Sequence, residues 1–195
     1  MELPDPEDVT ALEKRMAEVV IGGAEVLPER IVVQDYDPAW PRRYEREAAR
    51  IAGALGRRVV RLEHAGSTSV PGLPAKPIID IVLEVPDSAV EDQYVPDLEG
   101  AGYVLRVREP GWLEHRMFRT PNRDVHLHVF SAGCPETERM VRFRDHLRTN
   151  ADDRDRYAQA KRELAARDWK YMQQYADAKS DVVADIMSRS SPTPP

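Results

Sequence analysis

The most specific motif of this chain is HAGSTSVPGLPAKPIIDI, which spans residues 64–81. It places a glycine and three hydroxylated residues before a lysine, and it continues into an apolar strand that contains one aspartate. Gly66 can adopt a positive φ, which lets successive backbone N–H groups point into one concavity. This order of residues suits a loop that grips a phosphate and a strand that presents a carboxylate to a metal ion.

The hydroxylated residues of this motif have two interpretations. In the first, they bind a phosphate together with the glycine and the lysine, and the binding residues are then Gly66, Ser67, Thr68, Ser69 and Lys76. In the second, the hydroxyls cap the backbone of their own turn, as serine and threonine often do in loops. The tetrapeptide alone favours the second interpretation.

The presence of Asp80 makes the phosphate-binding interpretation of the loop more favourable than the tetrapeptide alone does. It lies inside the apolar run 78–85, which is typical of a central strand covered on both faces. A carboxylate is costly to bury there unless it is paired or binds a metal. We therefore predict that Asp80 is a catalytic residue and a ligand of a divalent metal.

Two histidines, His126 and His128, lie on a further predicted strand. Side chains alternate along a strand, so both imidazoles project from one face. Such a pair suits a transition metal, a general base or a phosphate contact, although histidines in strands are more often packed and hydrogen-bonded. If this strand neighbours that of Asp80, His128 becomes a second catalytic residue, with His64 near the loop as a third member. The predicted metal ligands are then Asp80, His126 and His128.

Most arginines and lysines after residue 115 are interpreted as solvated charges paired with nearby acids. They include Arg119 on the strand before the histidines, Arg144 on the following helix, and Lys161 and Lys179 on the C-terminal helices. Packing is the default role of Tyr175, which lies four residues before Lys179 on one helical face. From this group, Arg119 and Arg144 are the candidates for binding phosphate.

Composition limits the classes of function. The chain has 195 residues, 42% of them hydrophobic and 32% charged, as is typical of one globular domain. Its net charge of −6 argues against a duplex nucleic-acid binder, whose surface is normally basic. The single cysteine, Cys134, excludes an intramolecular disulfide and a multi-cysteine zinc site. The sequence shows no secretory signal and no apolar run of about 18–20 residues, so we expect a cytoplasmic protein with no membrane contact.

The pattern of elements predicts an α+β fold in three parts: an N-terminal helical extension over residues 1–30, a domain over 31–188 and a disordered tail over 189–195. The domain is predicted to hold a mixed or antiparallel sheet of about five strands, with flanking helices and a C-terminal helical layer. The predicted strands are 31–33, 59–64, 78–85, 103–108, 112–119 and 124–130. The predicted helices run from residue 40 to near 56, over 87–100, and from 135 onward with a break near Asp168.

Four motifs of the chain resemble the GrpB-like family. They are VQDYDPAWP at residues 33–41, the motif at 64–81, VHLHV at 125–129 and FRDHLR at 143–148, followed by a helix through Tyr157, Lys161 and Leu164. The resemblance covers residues 31–188. It implies a nucleotidyltransferase-superfamily fold, in which a Gly-Ser loop holds nucleotide phosphates and acids on the following strands bind a divalent metal. By this resemblance Gly66 and Ser67 match the loop, and Asp80 matches the first acid.

The chain departs from the superfamily pattern at the second acid. Val82 occupies that position, and the His-Leu-His strand supplies histidine where a third acid is expected. Two-metal transfer needs carboxylates that hold two Mg²⁺ ions about 3.5–4 Å apart, and Mg²⁺ prefers oxygen ligands. One aspartate with histidines suits a single Zn²⁺, Mn²⁺ or Ni²⁺ ion better. The predicted cofactor is a divalent metal, Mg²⁺ or Mn²⁺ by the resemblance and Zn²⁺ by the ligand types.

Three hypotheses for function follow. In the first, the chain is a nucleotidyltransferase-like enzyme: the loop hydroxyls and Lys76 hold a nucleotide phosphate, Asp80 ligates the metal, His128 completes the site, and Arg119 or Arg144 neutralises developing charge. In the second, a degenerate transferase fold binds a phosphorylated or carboxylated small molecule without turnover. In the third, a single metal held by aspartate and histidine supports a different reaction, such as ligation, cyclisation or hydrolysis.

Overall fold

A five-stranded mixed sheet forms the centre of the computed structural model, which describes residues 6–190. Its strands are β1 (Arg61–Ala65), β2 (Ile79–Val85), β3 (Val104–Glu109), β4 (His115–Arg119) and β5 (Val125–Ser131). Their order is β1-β2-β5-β4-β3, with β2 and β5 parallel and all other neighbours antiparallel. The predicted α+β class and the sheet of five strands are confirmed, and β2 lies inside the sheet as its apolar run predicts.

One face of the sheet, the apolar face, holds the main hydrophobic core. Ile81 of β2, Leu127 of β5 and Phe118 of β4 are fully buried there. Two helices, α2 (Trp40–Leu55) and α3 (Val95–Gly100), contribute the other side of this core. Each large apolar side chain buried in this way contributes about 1.5–3 kcal/mol to stability. This core fixes the positions of the strands that carry the candidate site.

The sequence of α2 explains where the helix begins and which side it buries. The Asp37 carboxylate accepts a hydrogen bond from the Ala39 amide at 2.8 Å, just before the first turn. Pro41 fits that turn because its missing N–H would have no partner there. Ile51 and Leu55 are one turn apart and both face the core. The predicted helix is confirmed.

The opposite face of the sheet, the Asp80 face, lies towards the C-terminal helices. Val82 of β2 and Phe130 of β5 pack there against Cys134, which precedes the first of these helices. The helices are α4 (Pro135–Thr149), α5 (Ala151–Ala165), α6 (Met172–Asp177) and α7 (Ser180–Arg189). The predicted break near Asp168 is confirmed, since α5 ends at Ala165 and the Trp169 indole donates a hydrogen bond to the Leu164 carbonyl at 2.7 Å.

The N-terminal extension packs along the edge of the sheet. After α1 (Pro6–Val19), Val20 forms a bridge to Val107 of β3, and the Ile21 amide donates to the Arg106 carbonyl at 2.8 Å. Further along, the Leu27 amide donates to the Lys170 carbonyl at 2.9 Å, just before α6. The segment therefore spans from the edge strand to the C-terminal helices.

The structure corrects three predicted elements. Residues 31–33 form no strand; only Gln34 makes an isolated bridge, to Ala75, and Ile31 is buried against α5 and α6 instead. The helix predicted over 87–100 is confined to α3, which carries Pro96 in its first turn. Before α3 the chain forms a 3₁₀ turn at Glu91–Gln93. Arg189 belongs to α7 rather than to a tail, and its guanidinium pairs with Asp153 at 2.6 Å. The predictions for residues 1–5 and 191–195 lie outside the described residues.

None of the helices within residues 6–190 is both long enough and apolar enough to span a membrane.

Candidate functional site

The turn between β1 and β2 lies directly against Asp80. Ala65 pairs with Asp80 in the sheet, and Gly66 follows with a φ of 64°. A Cβ at Gly66 would lie 2.9 Å from both the Cβ and the Cγ of Asp80, and it would collide with the carboxylate. A glycine is therefore needed here for two reasons, the left-handed backbone and the close approach of the aspartate.

Two of the three hydroxyls in the predicted phosphate loop are used by the loop itself. Thr68 donates to the Ile78 carbonyl at 3.1 Å, and the Ser69 hydroxyl donates to the Gly66 carbonyl. Both residues are buried. Ser67 is partly exposed; burial raises the pKa of the Tyr157 phenol of α5, and the Ser67 hydroxyl lies near enough to oppose that rise in part. The capping interpretation therefore describes Thr68 and Ser69, and Ser67 is the hydroxyl that faces the C-terminal helices.

Arginines of α4 hold this turn from behind. Arg144 donates to the His64 carbonyl at 3.0 Å and pairs with Glu63 at 2.7 Å and with Asp145 at 2.8 Å. Arg148 donates to the Ser69 carbonyl from two nitrogens, at 3.1 and 2.8 Å. The guanidinium predicted to bind phosphate is thus occupied by carboxylates of the chain, and Arg144 positions the turn instead.

His64 lies on the other side of the sheet from Asp80. It pairs with Ile81 in the register and therefore projects from the apolar face. Its ring stacks on Tyr44 with centroids 4.7 Å apart, and Nε2 lies 3.1 Å from the Thr68 hydroxyl. Burial lowers the pKa of His64 to about 4. The prediction of His64 as a third member beside Asp80 and His128 is wrong, because one residue along a strand reverses the face.

Asp80 and the two histidines of β5 do share one face. Asp80 pairs with His126 in the parallel register, and the carboxylate Oδ1 lies 3.6 Å from the His126 Nδ1. The rings of His126 and His128 have centroids 6.4 Å apart. Burial opposes ionisation of Asp80, but the nearby His126 and the charge of groups that include Lys76 outweigh it and hold the pKa of Asp80 below its usual value.

His128 is the inner end of a chain of hydrogen-bonded side chains. Its Nδ1 lies 3.1 Å from the His115 Nε2, and the His115 Nδ1 lies 2.7 Å from the Glu109 carboxylate. We assign the tautomers from these contacts: Glu109 accepts from His115, His115 accepts from His128, and Nε2 of His128 is left as an acceptor. Burial, followed by the charge of His115, lowers the pKa of His128 to about 3. His128 is therefore a neutral imidazole with an oriented lone pair.

Three lysines gather beside the turn and form the lysine cluster, Lys76, Lys161 and Lys179. Lys161 of α5 is 3% exposed, and it donates to the Pro74 carbonyl. Its ammonium lies 4.7 Å from the ring centroid of Tyr157. Lys76 and Lys179 lie 5.2 and 4.6 Å from the ring centroid of Tyr175. Helix α5, the turn between α6 and α7, and the loop before β2 thus bring three ammonium groups to one place.

The charge of the lysine cluster is not balanced by the side chains that the structure describes, those of residues 9–190, since none of their carboxylates lies within ion-pair distance of the three ammonium groups. Asp80 is the one carboxylate that raises the pKa of all three by its charge. Burial dominates and lowers each pKa, to about 8 for Lys76 and about 7 for Lys161. The interpretation of Lys161 and Lys179 as solvated surface charges is therefore wrong. One feature of the sequence could have indicated this environment. Tyr157 and Lys161, like Tyr175 and Lys179, are four residues apart, a spacing that lets a lysine contact an aromatic ring.

Arg119 contributes to a second cationic group, the arginine cluster, formed by Arg106, Arg119 and Arg123. Glu25 of the N-terminal extension accepts two hydrogen bonds from Arg119, at 2.7 and 2.9 Å. It also lies 3.1 Å from a guanidinium nitrogen of Arg106 and of Arg123. The hydrogen bond from Arg119 is the largest of the effects that lower the pKa of Glu25 to about 2. Arg119 lies two strands from Asp80 on the same face of the sheet, but its guanidinium is paired with Glu25.

The side chains predicted to bind a metal supply one close pair rather than a full set. Within the described chain, no three or more His, Cys, Asp and Glu side chains lie where they could hold a metal ion together. Asp80 and His126 approach each other, whereas the Nδ1 of His128 is taken by His115. These residues do not form a metal site by themselves. A divalent ion at Asp80 stays a prediction.

Comparisons with known proteins agree on one family. The family model described as GrpB protein matches residues 30–189. A UPF0157 protein of Halalkalibacterium halodurans is 54% identical over 181 residues, which cover 93% of each chain. The crystal structure of the conserved protein GrpB from Enterococcus faecalis has a TM-score of 0.69 and 32% identity, over 81% of this chain and 98% of that one. A dephospho-CoA kinase of Mycobacterium leprae is 31% identical over 186 residues, which cover 79% of this chain but only 45% of that protein.

Proposed function

This chain belongs to the GrpB family and has its nucleotidyltransferase-like fold, and from that premise we propose that it binds a nucleotide or another phosphorylated small molecule. The proposed site lies on the Asp80 face, between the turn at Gly66 and the C-terminal helices. In it, the lysine cluster and Ser67 hold the phosphate groups, and Asp80 and His128 line the adjoining part of the pocket.

The observation that carries this proposal is the unbalanced charge of the lysine cluster. An ammonium group that is buried without a carboxylate costs free energy, and structural lysines are therefore normally paired or exposed. Here Lys161 is almost fully buried and faces two further lysines. A ligand that brings several negative charges would compensate for this cost, as phosphates do.

The surroundings of the ammonium groups support a built site. The aromatic faces of Tyr157 and Tyr175 stabilise the cations without neutralising them. The Pro74 carbonyl orients Lys161, which lies on a helix rather than on a loop. Because backbone and rings fix these groups, they are ordered in advance for a ligand, which reduces the entropy lost on binding.

Asp80 and His128 give the site its chemistry in this proposal. A neutral His128 whose Nε2 is an acceptor suits a hydrogen bond from a hydroxyl of an incoming substrate, which it would orient towards the phosphates. Glu109 and His115 would hold it in that tautomer, in the way that a carboxylate orients the base of a catalytic triad. An ionised Asp80 beside it suits the binding of a cation that accompanies the phosphates.

A non-catalytic binding role is the second candidate, and Val82 is the observation that favours it. Val82 is fully buried against Ala65, Phe130 and Cys134 at the position of the superfamily's second acid. An apolar side chain in that place leaves Asp80 as a single carboxylate. Two-metal transfer requires more carboxylates than this site offers.

The proposal is tested by titration calorimetry with ATP, GTP, CTP and UTP, each with Mg²⁺ or Mn²⁺. Dephospho-CoA is added because some relatives are named for a kinase that acts on it. We expect at least one of these ligands to bind the protein and to lose most of its affinity in the Lys161→Met variant. The matched control is Lys170→Met, since Lys170 is exposed and pairs with Glu13 away from the cluster. Folded protein that binds none of these ligands would overturn the proposal.

The two candidate functions are separated by turnover. A ligand that binds is incubated with the protein and cell extract, and products are followed by mass spectrometry. A product that disappears in the His128→Ala variant supports the enzyme. Binding without any product supports the binding module.

A further inference from the structure

The arginine cluster is more positive than its internal partner can neutralise. Three guanidinium groups surround the one carboxylate of Glu25, so the group keeps a net charge of +2. Arg119 already engages both oxygens of Glu25 in a bidentate pair. The remaining two arginines contact oxygens that are shared. A group with more negative charge than a carboxylate would satisfy this cluster better.

The cluster also borders the proposed ligand site. Arg119 of β4 pairs directly with His126 of β5, and His126 pairs directly with Asp80 of β2. The three side chains therefore project from the same face, and the backbones of β4 and β2 are separated by about 10 Å. A phosphorylated molecule that begins at the lysine cluster can pass Asp80 and reach Arg119.

Glu25 is one of several contacts between the N-terminal extension and the domain. It lies in the extension, ahead of residues 30–189 that the family model matches. The extension has other attachments: Glu13 accepts hydrogen bonds from Lys170 at 2.8 Å and from Tyr171 at 2.7 Å, and backbone bonds hold residues 21 and 27. Glu25 is thus not the sole contact that docks the segment.

We propose that the arginine cluster is a second anion subsite of the ligand pocket and that Glu25 occupies it as an internal competitor until an anionic group of the ligand displaces it. The subsite takes a phosphate or carboxylate group of the molecule whose phosphates lie at the lysine cluster. The proposal rests on the proposed function and deepens it, since it gives the ligand a second anionic end and the extension a regulatory role.

The alternative is that Glu25 only docks the extension. In that case its removal should act like the removal of any other docking contact. Glu13 provides the matched control, because it is a carboxylate of the same extension that binds Lys170 and Tyr171 rather than the arginine cluster. Glutamine at either position keeps the shape of the side chain and removes its charge.

The test measures the affinity of ATP and of inorganic pyrophosphate, with Mg²⁺, for the full chain and its variants by calorimetry. We expect Glu25→Gln to tighten binding by about tenfold, which corresponds to about 1.4 kcal/mol, and Glu13→Gln to leave it unchanged. The double variant Glu25→Gln/Arg119→Met should lose the gain. A gain with both ligands shows that the two phosphates of pyrophosphate are enough to displace Glu25, and a gain with ATP alone shows that the longer triphosphate is needed to reach the arginine cluster.

The outcomes separate this inference from the proposed function. Equal effects of Glu25→Gln and Glu13→Gln, or weaker binding in Glu25→Gln, would overturn the subsite while leaving the lysine cluster intact. If neither the wild type nor Glu25→Gln binds any of the ligands, the proposed function fails and the subsite falls with it. Circular dichroism of each variant confirms that the chain is folded.

Discussion

The lysine cluster and the arginine cluster lie on the same side of the sheet and carry the same number of cationic groups, yet only one of them is matched by an internal carboxylate within ion-pair distance. Glu25 lies among the arginines, whereas the lysines share the more distant charge of Asp80. The difference teaches that the pairing of cationic residues, and not their number alone, ranks the candidate anion sites. In the proposed function the lysine cluster is the primary site, and the arginine cluster, which Glu25 neutralises only in part, is the secondary one.

The two clusters also respond differently to pH. Arginine remains protonated over the whole range in which proteins are stable. Buried lysines lose their protons near neutrality, as the pKa values of about 7 for Lys161 and about 8 for Lys76 indicate. Only the lysine cluster can therefore be switched off by pH.

The largest effect is expected from Gly66→Ala, which disrupts the turn beside the lysine cluster. The new Cβ would overlap Asp80 and would hold an unfavourable positive φ. We expect a loss of about 2–4 kcal/mol in the free energy of unfolding, from overpacking and backbone strain together, and a loss of detectable ligand binding.

Gly53→Ala is the control for this variant, because Gly53 lies in α2 with no neighbouring atom within 4 Å of a new Cβ. It should stabilise the protein by up to about 1 kcal/mol. Urea titrations of both variants measure the two effects. A Gly66→Ala variant as stable as the wild type would contradict the close approach of Asp80.

The next effect is expected from Lys161→Met, which removes one buried charge from the lysine cluster. Hydrogen bonds to charged groups contribute about 1.5–3 kcal/mol, so ligand affinity should fall by about 10- to 100-fold. Stability without ligand should not fall, because the buried ammonium is replaced by an apolar side chain of similar length. Calorimetry and thermal unfolding measure the two quantities. A marked loss of stability without a loss of affinity would assign Lys161 a structural role.

A smaller effect is expected from pH. Phosphate groups have a second pKa of about 6 and are nearly fully charged above pH 7, so changes in affinity between pH 7 and pH 9 report on the protein. Lys161 and Lys76 lose protons in this window, and we expect affinity to fall by about tenfold. In Lys161→Met the fall should be smaller. An affinity that rises with pH would contradict the role of the lysines.

Stability without ligand should change in the opposite direction over the same window. The folded chain binds fewer protons than the unfolded chain between the lowered pKa of Lys161 and the usual lysine value of about 10.4. Stability therefore rises with pH there, and the unfavourable contribution is fully present below pH 7. Thermal unfolding between pH 7 and pH 9 should show a larger rise for the wild type than for Lys161→Met.

The smallest effect is expected from Arg119→Met in the otherwise unchanged chain. Arg119 is already neutralised, and Arg106 and Arg123 remain to hold Glu25. Partly exposed ion pairs contribute about 0–1 kcal/mol, so stability should fall by no more than that and ligand affinity by less than about threefold. Calorimetry and urea titration of this variant measure both values. A loss as large as that of Lys161→Met would place Arg119 in the primary site and remove the contrast between the clusters.

Local pattern predicted most of the fold. The apolar run of β2 and the pattern of β5 identified two strands, and the Asp-Pro signal with its following periodicity identified α2. The prediction at 31–33 failed because a short apolar run does not show whether a strand or a helix pair will bury it. Ile31 is buried against Leu164, Ala165 and Tyr175 without any sheet partner.

The candidate site was predicted in part. The strand period of two residues predicted that His126 and His128 share a face, but it could bring them to Asp80 only on the condition that the two strands are neighbours. The structure meets that condition, and it sets His126 rather than His128 opposite Asp80. The lysine cluster could not be predicted, since Lys76 is separated from Lys161 and Lys179 by 85 and 103 residues in the chain. Nor could sequence show that Glu25 reaches Arg119, 94 residues away.

The sequence by itself determined the elements of this protein, the glycine turn before Asp80 and the family to which the chain belongs, because short-range periodicity and local backbone preferences are written into neighbouring residues. The tertiary structure alone decided which charges are paired and which are not. That outcome depends on contacts between distant segments, and free energy of burial is set by all the groups around a side chain rather than by its neighbours in sequence. The unpaired charge at Lys161 and the paired charge at Arg119 are therefore properties of the fold.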